Sequence, residues 1–592
     1  MIESAKRRRL TVRLLPILLL PALAACGAQG RVASTTPAAP VTVGIIALND
    51  FHGALEPPRT AVLVPDGKGD ARPVPAGGAA WLASAVDSLR SQYTHSATVA
   101  AGDLISASQI TSSLFLDEPA IGVMNRIGLD FNAVGNHEFD HGTEELLRKQ
   151  SGGCAQHTAR KPCQVEPFTG AKFRFLSAST YKADGTTLFP ASGLRSFGKG
   201  KRRVDVGFIG LTLKGTPSLV SPDGIRGLTF RDEATAINAE AARLRRGGAD
   251  AVVVMIHQGG YTSGLPNPDG CENLTGEIRP ILDRLEGGVD VVVSGHTHWA
   301  YVCEYGAVNP AKPVLLTSAG VFGQLVTDIT LEIDPKQGRV VARRARNVVV
   351  QSDPYLSPRG PVETAADLPR FSPRPDVAAY VGKYVAAAKD FSLRPVGRLS
   401  GPAARAEVAG IGDQGGPLGN LIADAQLAAT AGAGAQIAFM NPFGIRAPLN
   451  PAADGALTFG AIYAVQPFNN TLVTQSMTGA ELKAVLEQGF DADGPHQVLA
   501  PSAGFTYRID RTRAIGDRIV AMALNGQPID PAATYRVTTN SFLAGGGDSF
   551  TLFTRGRDSV SGMPDIDALE AWLKAVPPRA VPTQERVTRA DR

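Results

Sequence analysis

Two histidines, His296 and His298, lie one residue apart directly after an apolar run and a Ser-Gly turn. The run, residues 289–293, is apolar at all but one position, which is typical of a strand buried on both faces. Gly295 permits the backbone to leave regular strand geometry there, so both imidazoles can face one cleft. Imidazole binds metals and transfers protons, and the stretch therefore predicts a functional turn. For this stretch alone, the alternative is a polar loop that happens to contain two histidines.

Four further apolar runs end in turns that contain Asp, Asn or His. Because α/β sheets place their sites at the carboxyl ends of the strands, we expect these side chains to converge. Five of the nine histidines of the chain lie in the five turns, which a random distribution would not produce. The side chains are Asp50 and His52 after residues 41–48, Asp103 after 97–101, Asn136 and His137 after 131–134, and His257 after 251–256.

Carboxylate, amide oxygen and imidazole together suit borderline or hard divalent cations, of which zinc or manganese fits best. Two such ions about 3.5–4 Å apart share a bridging carboxylate, activate a water and neutralise a phosphoryl group. Asp103 is the natural bridge, since it is the only acid in its turn. The five turns therefore predict a site with two divalent metal ions that hydrolyses phosphoesters.

Strand-like and helix-like patterns alternate along the first part of the chain, which predicts an α/β layered domain at residues 41–350. The other predicted strands are 173–177, 204–210, 314–317 and 326–333, and the predicted helices are 79–89, 118–127, 233–246 and 278–285.

A Pro-rich passage at residues 351–375 is typical of a linker. Residues 376–389 have one apolar helical face, so 351–394 are predicted to be a linker with a connecting helix. A second domain is expected at 395–577 and a tail at 578–592. Its predicted elements are the helices 418–430 and 479–488, the latter capped by Thr478, and the strands 436–440, 504–509, 518–524 and 535–539.

Residues 1–25 have the features of an export signal. A basic stretch precedes an apolar run at residues 14–23 that is too short to span a bilayer. The run ends in Leu-Ala-Ala-Cys26, which resembles a bacterial lipobox with Cys26 as the lipidated residue; the alternative is an ordinary secretory signal with a chance cysteine. Arg8 and Arg9 are a weak indication of twin-arginine export. With residues 26–40 as a tether, we expect an exported protein that is lipid-anchored to the bacterial cell envelope.

The signal segment accounts for the whole formal net charge of +4, because it holds five basic residues and one acidic residue. The remainder is near neutral, which argues against binding of a nucleic-acid polymer. The four cysteines after Cys26 are an even number in an exported chain, and we expect the disulfides Cys154–Cys163 and Cys271–Cys303. A four-cysteine zinc site is the alternative, but the spacing lacks CxxC pairs.

The motifs LNDFHG, AGD, GNHEFD, IHQG and SGHTH occur in this order, followed by LGNLIADA, NPFGIRA, VQPFNNTL, MTGAEL and SFLAGGGDSF. Over nearly all of residues 41–560 the chain resembles the 5′-nucleotidase / UDP-sugar hydrolase family. The resemblance implies the α/β fold class, with an N-terminal four-layer α/β/β/α metallophosphoesterase domain followed by a smaller α+β substrate-binding domain.

The same resemblance implies roles for single residues in the first domain. The histidine after the ligand asparagine stabilises the transition state and a nearby aspartate orients it, which here are His137 and Asp140. If a helix starts there, positions three apart lie side by side. One metal ion is expected at Asp50, His52, Asp103 and His298, and the other at Asp103, Asn136, His257 and His296.

In the second domain the resemblance implies that two aromatic rings, Phe468 and Phe542, clamp the nucleobase. Stacking tolerates any base, because every base has a π-face. Without the resemblance, both rings are better explained as core residues. Arg446, Asn470 and Asp548 match groups that hydrogen-bond the base, the ribose or the sugar–phosphate side.

Two departures from the family pattern concern the substrate. Where the family has NGGGIR, this chain has Pro442 and Phe443 in place of two glycines, and residues 410–416 lack the family's arginines, with only Arg405 nearby. We expect an enzyme that releases phosphate from nucleotides, with UDP-sugars, nucleotide polyphosphates or cyclic nucleotides as variants. The alternatives are a hydrolase of a non-nucleotide phosphoester and a non-catalytic surface binding protein, and the intact ligand set argues against the latter.

Overall fold

The computed structural model describes residues 39–65, 71–158, 160–220, 222–263, 270–357, 360–408, 412–468, 470–491 and 496–591. The predicted export signal, the predicted lipidation site Cys26 and most of the predicted tether at 26–40 lie outside these residues. Within the described ranges, no helix combines the length and the apolar character that a membrane span requires.

Two six-stranded sheets form the centre of the first domain. Each contains four neighbouring parallel strands: Val41–Leu48, Ser96–Ala100, Phe131–Ala133 and Arg174–Leu176 in one sheet, and Val204–Thr212, Ala251–His257, Val291–Ser294 and Leu315–Ala319 in the other. Antiparallel strands complete the sheets: Leu325–Asp334 and Arg339–Val349 in the first, and Ser192–Phe197 and Ala300–Glu304 in the second.

Apolar side chains fill three layers around these sheets. The middle layer joins the two sheets face to face through residues such as Val43, Phe208 and Val253. A second layer packs the outer face of the first sheet against helices, and a third does the same for the second sheet. The four-layer α/β/β/α architecture is therefore confirmed. The covering helices are Ala79–Arg90, Ile110–Ser113, Glu118–Ile127 and Pro375–Ser392 on one side, and Glu233–Arg246 and Ile278–Asp283 on the other; Thr143–Ser151 follows the third turn.

The strand predicted at residues 289–293 begins later, at Val291, and extends to Ser294. Asp290 explains the difference, because its side chain, rather than a backbone carbonyl, accepts a hydrogen bond from the neighbouring strand. Its Oδ2 accepts the backbone N–H of Val252 at 2.8 Å and a guanidinium N–H of Arg245 at 2.6 Å. The one polar residue of the run therefore anchors the start of the strand to its neighbour.

The described residues of 351–374 pack on the first domain rather than crossing open solvent. The backbone N–H of Ser352 donates to the carbonyl oxygen of Pro75 at 3.0 Å, and Ala365 is buried in one cluster with residues 62 and 74. Gln351 is buried, and its side-chain amide donates to the carbonyl oxygens of Ala365 and Leu368, each at 3.1 Å. The passage includes the hairpin of Tyr355–Ser357 and Gly360–Val362. The helix Pro375–Ser392 then contacts both domains, since Tyr384 lies in the first core and Phe391 packs edge-on against Phe459 at 4.7 Å.

The second domain is built on a mixed five-stranded sheet and a four-stranded sheet. The predicted cap of the helix Gly479–Gln488 is present as a capping box, in which Thr478 and Glu481 bond each other's backbone N–H. The sheets contain Ala500–Pro501, Ile437–Met440, Thr534–Asn540, Thr471–Thr478 and Arg557–Pro564, and Gln527–Pro528, Ile519–Leu524, Phe505–Ile509 and Val587–Arg589; the other helices are Gly416–Ala429, Phe459–Val465, Ser541–Ala544 and Asp565–Ala575.

Both predicted disulfides are confirmed: Cys154 is bonded to Cys163, and Cys271 to Cys303. Short strand pairs complete the described structure: Val62–Pro65 with Ala71–Val74, Thr180–Tyr181 with Thr229–Phe230, Pro395–Arg398 with Ala456–Thr458, and Ala406–Val408 with Gly412–Gln414 and Gln497–Val498.

Candidate active site

The parallel strands of both sheets deliver their polar turns to one cleft of about 680 Å³. Asp103 follows a strand of the first sheet and His257 ends a strand of the second, yet Asp103 Oδ2 lies 2.8 Å from His257 Nε2. Asp50 Oδ1 and His298 Nε2, again from different sheets, are 3.5 Å apart. The convergence expected from the sequence therefore arises where the two sheets meet.

Asp50, His52 and His298 form one group whose potential ligand atoms all lie within 4.8 Å of one another. The Nε2 atoms of the two histidines are 3.2 Å apart, and His52 Nε2 lies 3.9 Å from Asp50 Oδ1. Three donors of this kind pointing at one spot match the ligand chemistry of zinc or manganese.

Asp103, His257 and His296 form the second group, with the same spread of ligand atoms. The side-chain oxygen of Asn136 is buried and has no hydrogen-bond partner among the described residues, whereas His257 Nε2 faces Asp103 Oδ2. Buried polar atoms are normally satisfied, so the Asn136 oxygen is free to bind a cation. Asp103 Oδ2 also lies 3.9 Å from His52 Nε2, which places this carboxylate between the two groups.

The turns hold these side chains in strained backbone conformations. A left-handed backbone is uncommon in residues other than glycine and costs about 1–3 kcal/mol, and such outliers cluster at functional sites. Five of the predicted ligands adopt it, namely Asp50 (φ 49°), His52 (φ 46°), Asp103 (φ 50°), His296 (φ 71°) and His298 (φ 58°).

Backbone carbonyls orient two of the imidazoles. Nδ1 of His52 lies 2.9 Å from the carbonyl oxygen of Ser106, and Nδ1 of His257 lies 2.8 Å from that of Ala101. A carbonyl oxygen only accepts, so each Nδ1 carries the proton and each Nε2 faces the site, as metal-binding histidines require. Burial lowers the pKa of His52 to about 3, and burial together with nearby His257 does the same for His296, which keeps both rings neutral.

Asp103 is the charged centre of the site. Burial alone would raise the pKa of Asp103, but His257 and His137 outweigh it and hold the pKa well below its ordinary value. Conversely, burial would lower the pKa of His257, but the charge of Asp103 raises it. Asp103 and His257 therefore stabilise each other's charged form.

Two residues that the sequence analysis missed support the ligand turns. Glu138 accepts the backbone N–H of Asp103 at 2.9 Å and of Gly135 at 2.7 Å through Oε2, and that of Leu104 at 2.8 Å through Oε1. Glu138 therefore links two ligand turns. Its position inside the GNHEFD motif is the sequence feature from which this role could have been predicted. Asn49 donates to Asp50 Oδ2 at 2.7 Å and so orients that carboxylate.

His137 and Asp140 are paired as the resemblance implies. His137 Nδ1 lies 2.7 Å from Asp140 Oδ2 across one turn of the short helix His137–Phe139. Burial opposes protonation, but Asp140 and Asp103 outweigh it and raise the pKa of His137. The backbone N–H of His137 also donates to Asp103 Oδ1 at 2.9 Å, which places this turn beside the predicted bridging carboxylate.

The second domain supplies the opposite wall of the cleft. Asp548 accepts a hydrogen bond from Asn441 at 2.7 Å, and burial raises the pKa of Asp548 to about 6. Phe542 packs on Gly547, where an added Cβ would lie 2.5 Å from the ring. All five predicted substrate residues line this wall, namely Arg446, Phe468, Asn470, Phe542 and Asp548.

One of the departures from the family pattern lies at the cleft. Phe443 lines it from the short helix Pro442–Gly444. Arg405 lines it as well and donates to the carbonyl oxygen of Pro442 at 3.3 Å. An arginine is therefore present at the cleft although residues 410–416 contain none. Trp299 and Tyr261, which the sequence analysis did not single out, complete the first domain's side of the cleft.

Each of the two domains that form the cleft matches a model of a known protein family. The family model described as calcineurin-like phosphoesterase matches residues 44–300, and the model of the 5′-nucleotidase C-terminal domain matches residues 395–555. The chain belongs to the 5′-nucleotidase family. Its two domains and its paired ligand groups are those of a metal-dependent phosphoester hydrolase that holds two divalent ions.

Two relatives of this 5′-nucleotidase family member are not themselves named 5′-nucleotidases. Endonuclease YhcR of Bacillus subtilis is 30% identical over 546 residues, covering 91% of this chain but 40% of its own length. The chain thus spans less than half of that relative. Cell wall protein Lmo0130 of Listeria monocytogenes is 29% identical over 556 residues, covering 90% of this chain and 67% of its own length.

Among solved structures, that of the 5′-nucleotidase precursor from Thermus thermophilus is similar to this chain. The TM-score is 0.70 at 25% identity, and the match covers 93% of this chain and 100% of that one. The similarity therefore extends over both domains.

Proposed function

We propose that this 5′-nucleotidase family member releases phosphate from nucleotides. The observation that carries the proposal is that one cleft is lined by members of both metal-ligand groups and by Phe468 and Phe542. Stacking on an aromatic ring contributes about 1–3 kcal/mol per base, so the second domain offers a base-binding surface next to the ligands. UDP-sugars, nucleotide polyphosphates and cyclic nucleotides are variants of the same substrate class.

The ligand assignment is part of the proposal. When bound, two divalent ions, zinc or manganese, would activate a water and neutralise charge on the phosphoryl group. The buried side-chain oxygen of Asn136, which has no hydrogen-bond partner among the described residues, supports the assignment. The ligands proposed are Asp50, His52, Asp103 and His298 for one ion, and Asp103, Asn136, His257 and His296 for the other.

The remaining residues stabilise charge on the substrate and position it. His137, kept protonated by Asp140, donates a hydrogen bond to the negative charge that develops on the phosphoryl oxygens. Arg446 holds the sugar–phosphate side through its planar donors. Asp548 and Asn470 bond the ribose and the base, so that the phosphate lies at the ligand groups in one orientation.

We infer that the protein is exported and lipid-anchored through Cys26. The two disulfides support export, since disulfides persist in oxidising compartments. The name of Lmo0130, a cell wall protein, points to the same side of the membrane.

A second candidate is hydrolysis of a different phosphoester by the same ligand groups. The observation that favours it is Phe443, which fills part of the cleft where the family has glycine. A bulky ring there narrows the space available to a nucleotide.

A substrate panel decides between the two. Phosphate release is measured from nucleoside monophosphates, a UDP-sugar, a cyclic nucleotide and bis-p-nitrophenyl phosphate, after chelation and again after adding manganese or zinc. We expect turnover of nucleotides that depends on added metal, with two ions per chain in metal analysis. Turnover of bis-p-nitrophenyl phosphate without any of the nucleotides would favour the second candidate, and metal-independent turnover would contradict both.

A further inference from the structure

Asp565 is a buried carboxylic acid in the wall of the cleft that none of the roles above uses. It begins the helix Asp565–Ala575, lines the cleft and is 2% exposed. Its backbone N–H donates to the carbonyl oxygen of Asn470 at 2.7 Å. Asp565 is therefore attached to the loop that carries Phe468, the proposed stacking ring.

One of its carboxyl oxygens lacks a partner. Oδ2 has a long hydrogen bond of 3.4 Å from the side-chain amide of Gln466, whereas Oδ1 is buried without a hydrogen-bond partner among the described residues. Burial raises the pKa of Asp565 to about 7, which hydrogen bonding from Ile566 and Asn470 only partly offsets. An unsatisfied buried acceptor is destabilising, and one that a protein retains calls for an explanation such as a ligand.

The stacking geometry restricts which part of a ligand can reach this acceptor. A base between two rings has both faces covered, so only its edge is open to polar groups. The polar groups on a base edge are N–H donors and ring or carbonyl acceptors. A lone carboxylate oxygen pairs with a donor and repels an acceptor.

We propose that Asp565 accepts an N–H from the edge of the nucleobase and so selects bases that carry a donor there. The inference rests on the proposed function, and it adds a specificity-determining residue to the roles given above. Gln466 and Asn470 hold the carboxyl group in place from the same loop. A pocket built to hydrogen-bond a donor discriminates strongly against an analogue that lacks it, because its own buried polar group is then left unpaired.

The test compares two nucleotides that differ at the base edge. Adenosine 5′-monophosphate has an amino group, and purine riboside 5′-monophosphate has the same ring with no N–H on its base. The wild-type protein should have a KM at least about tenfold lower for the adenosine compound, as one charge-assisted hydrogen bond implies. Calorimetric binding of adenosine and purine riboside, which involves no turnover, should show the same ratio.

Asp565→Asn is the diagnostic variant, because it keeps the shape of the side chain. Its amide can accept from adenine or donate to the bare ring nitrogen of purine, so the preference should fall to about twofold or less. Asp567→Asn is the matched control: Asp567 is exposed on the first turn of the same helix, and its loss should leave the preference unchanged. Bis-p-nitrophenyl phosphate turnover should not change in Asp567→Asn.

Three outcomes would overturn the inference. Equal binding of the two nucleosides by the wild-type protein would show that the base edge is not recognised there. An unchanged preference in Asp565→Asn, or an equal weakening for both nucleosides, would make Asp565 a structural residue of the helix start. If the wild-type protein released phosphate from neither nucleotide, the proposed function itself would fail, and this result is distinct from turnover without preference.

Discussion

The ring of Phe468 stacks on the imidazole of His137, with centroids 5.8 Å apart and planes inclined by 15°. His137 comes from a turn of the first domain, and Phe468 from the second. Arg446 also lies over Phe468, 5.9 Å from its centroid. The proposed base-binding ring and the proposed transition-state group are therefore neighbours, so the two proposed functions are not separable for this ring.

Phe468→Ala and Phe542→Ala should behave differently because of that contact. Removing Phe542 takes away stacking alone and should raise KM for a nucleotide by about tenfold or more, with little effect on bis-p-nitrophenyl phosphate. Removing Phe468 also frees the His137 ring, so it should lower kcat for both substrates. Steady-state kinetics on the two substrates check this. If Phe542→Ala slowed both substrates equally, that ring would be structural core.

Asp103→Asn should remove most of the activity. The variant keeps the side-chain shape but loses the charge that lies between the two ligand groups, so at least one ion should be lost. Metal analysis and phosphate release of the purified variant test this, with the exposed Asp567→Asn as control. Two retained ions and near-normal turnover would show that Asp103 is not the bridge.

Glu138→Gln should weaken metal binding without touching a ligand. The carboxylate accepts three backbone N–H groups from two ligand turns, whereas glutamine offers one oxygen and turns an NH₂ group toward the donors. Residues that orient ligands typically change metal affinity or activity by about 10–100-fold. Metal titration monitored by recovered activity measures the shift. Glu144→Gln, on the exposed face of the next helix, should have no effect, and an equal effect of both would refute the role.

Because of Asp548, we expect the affinity for a nucleoside to fall at acid pH. Burial raises its pKa from the ordinary 3.8 to about 6, so the carboxylate that accepts a ribose hydroxyl is lost as pH falls through 6. The inhibition constant of adenosine, which has no phosphate to titrate, should therefore rise below pH 6 by up to about tenfold per pH unit. Asp548→Asn should bind adenosine more weakly at neutral pH and lose the step near pH 6, while protonation of Asp565, whose pKa burial raises to about 7, still weakens binding. A step retained near pH 6 in that variant would assign the titration to another group.

Much of the site could be predicted from sequence because each ligand follows its strand within a few residues. A buried apolar run, a turn and an Asp or His are local features, and parallel strands bring such turns to one edge. For the same reason Thr478 could be predicted as the cap of its helix, to which the structure adds Glu481 three residues later. The fold class, the disulfides and the two-metal chemistry are all consequences of local patterns and motif order.

The tertiary structure alone decided what depends on contacts between distant residues. The left-handed backbone at Asp50 and Asp103 is not favoured by either residue's own preferences and persists only because the surrounding packing imposes it. The stacking of Phe468 on His137 and the unpaired oxygen of Asp565 arise where separate segments meet. No local pattern encodes these relationships, since the physical terms that set them, packing and burial, are sums over the whole folded chain.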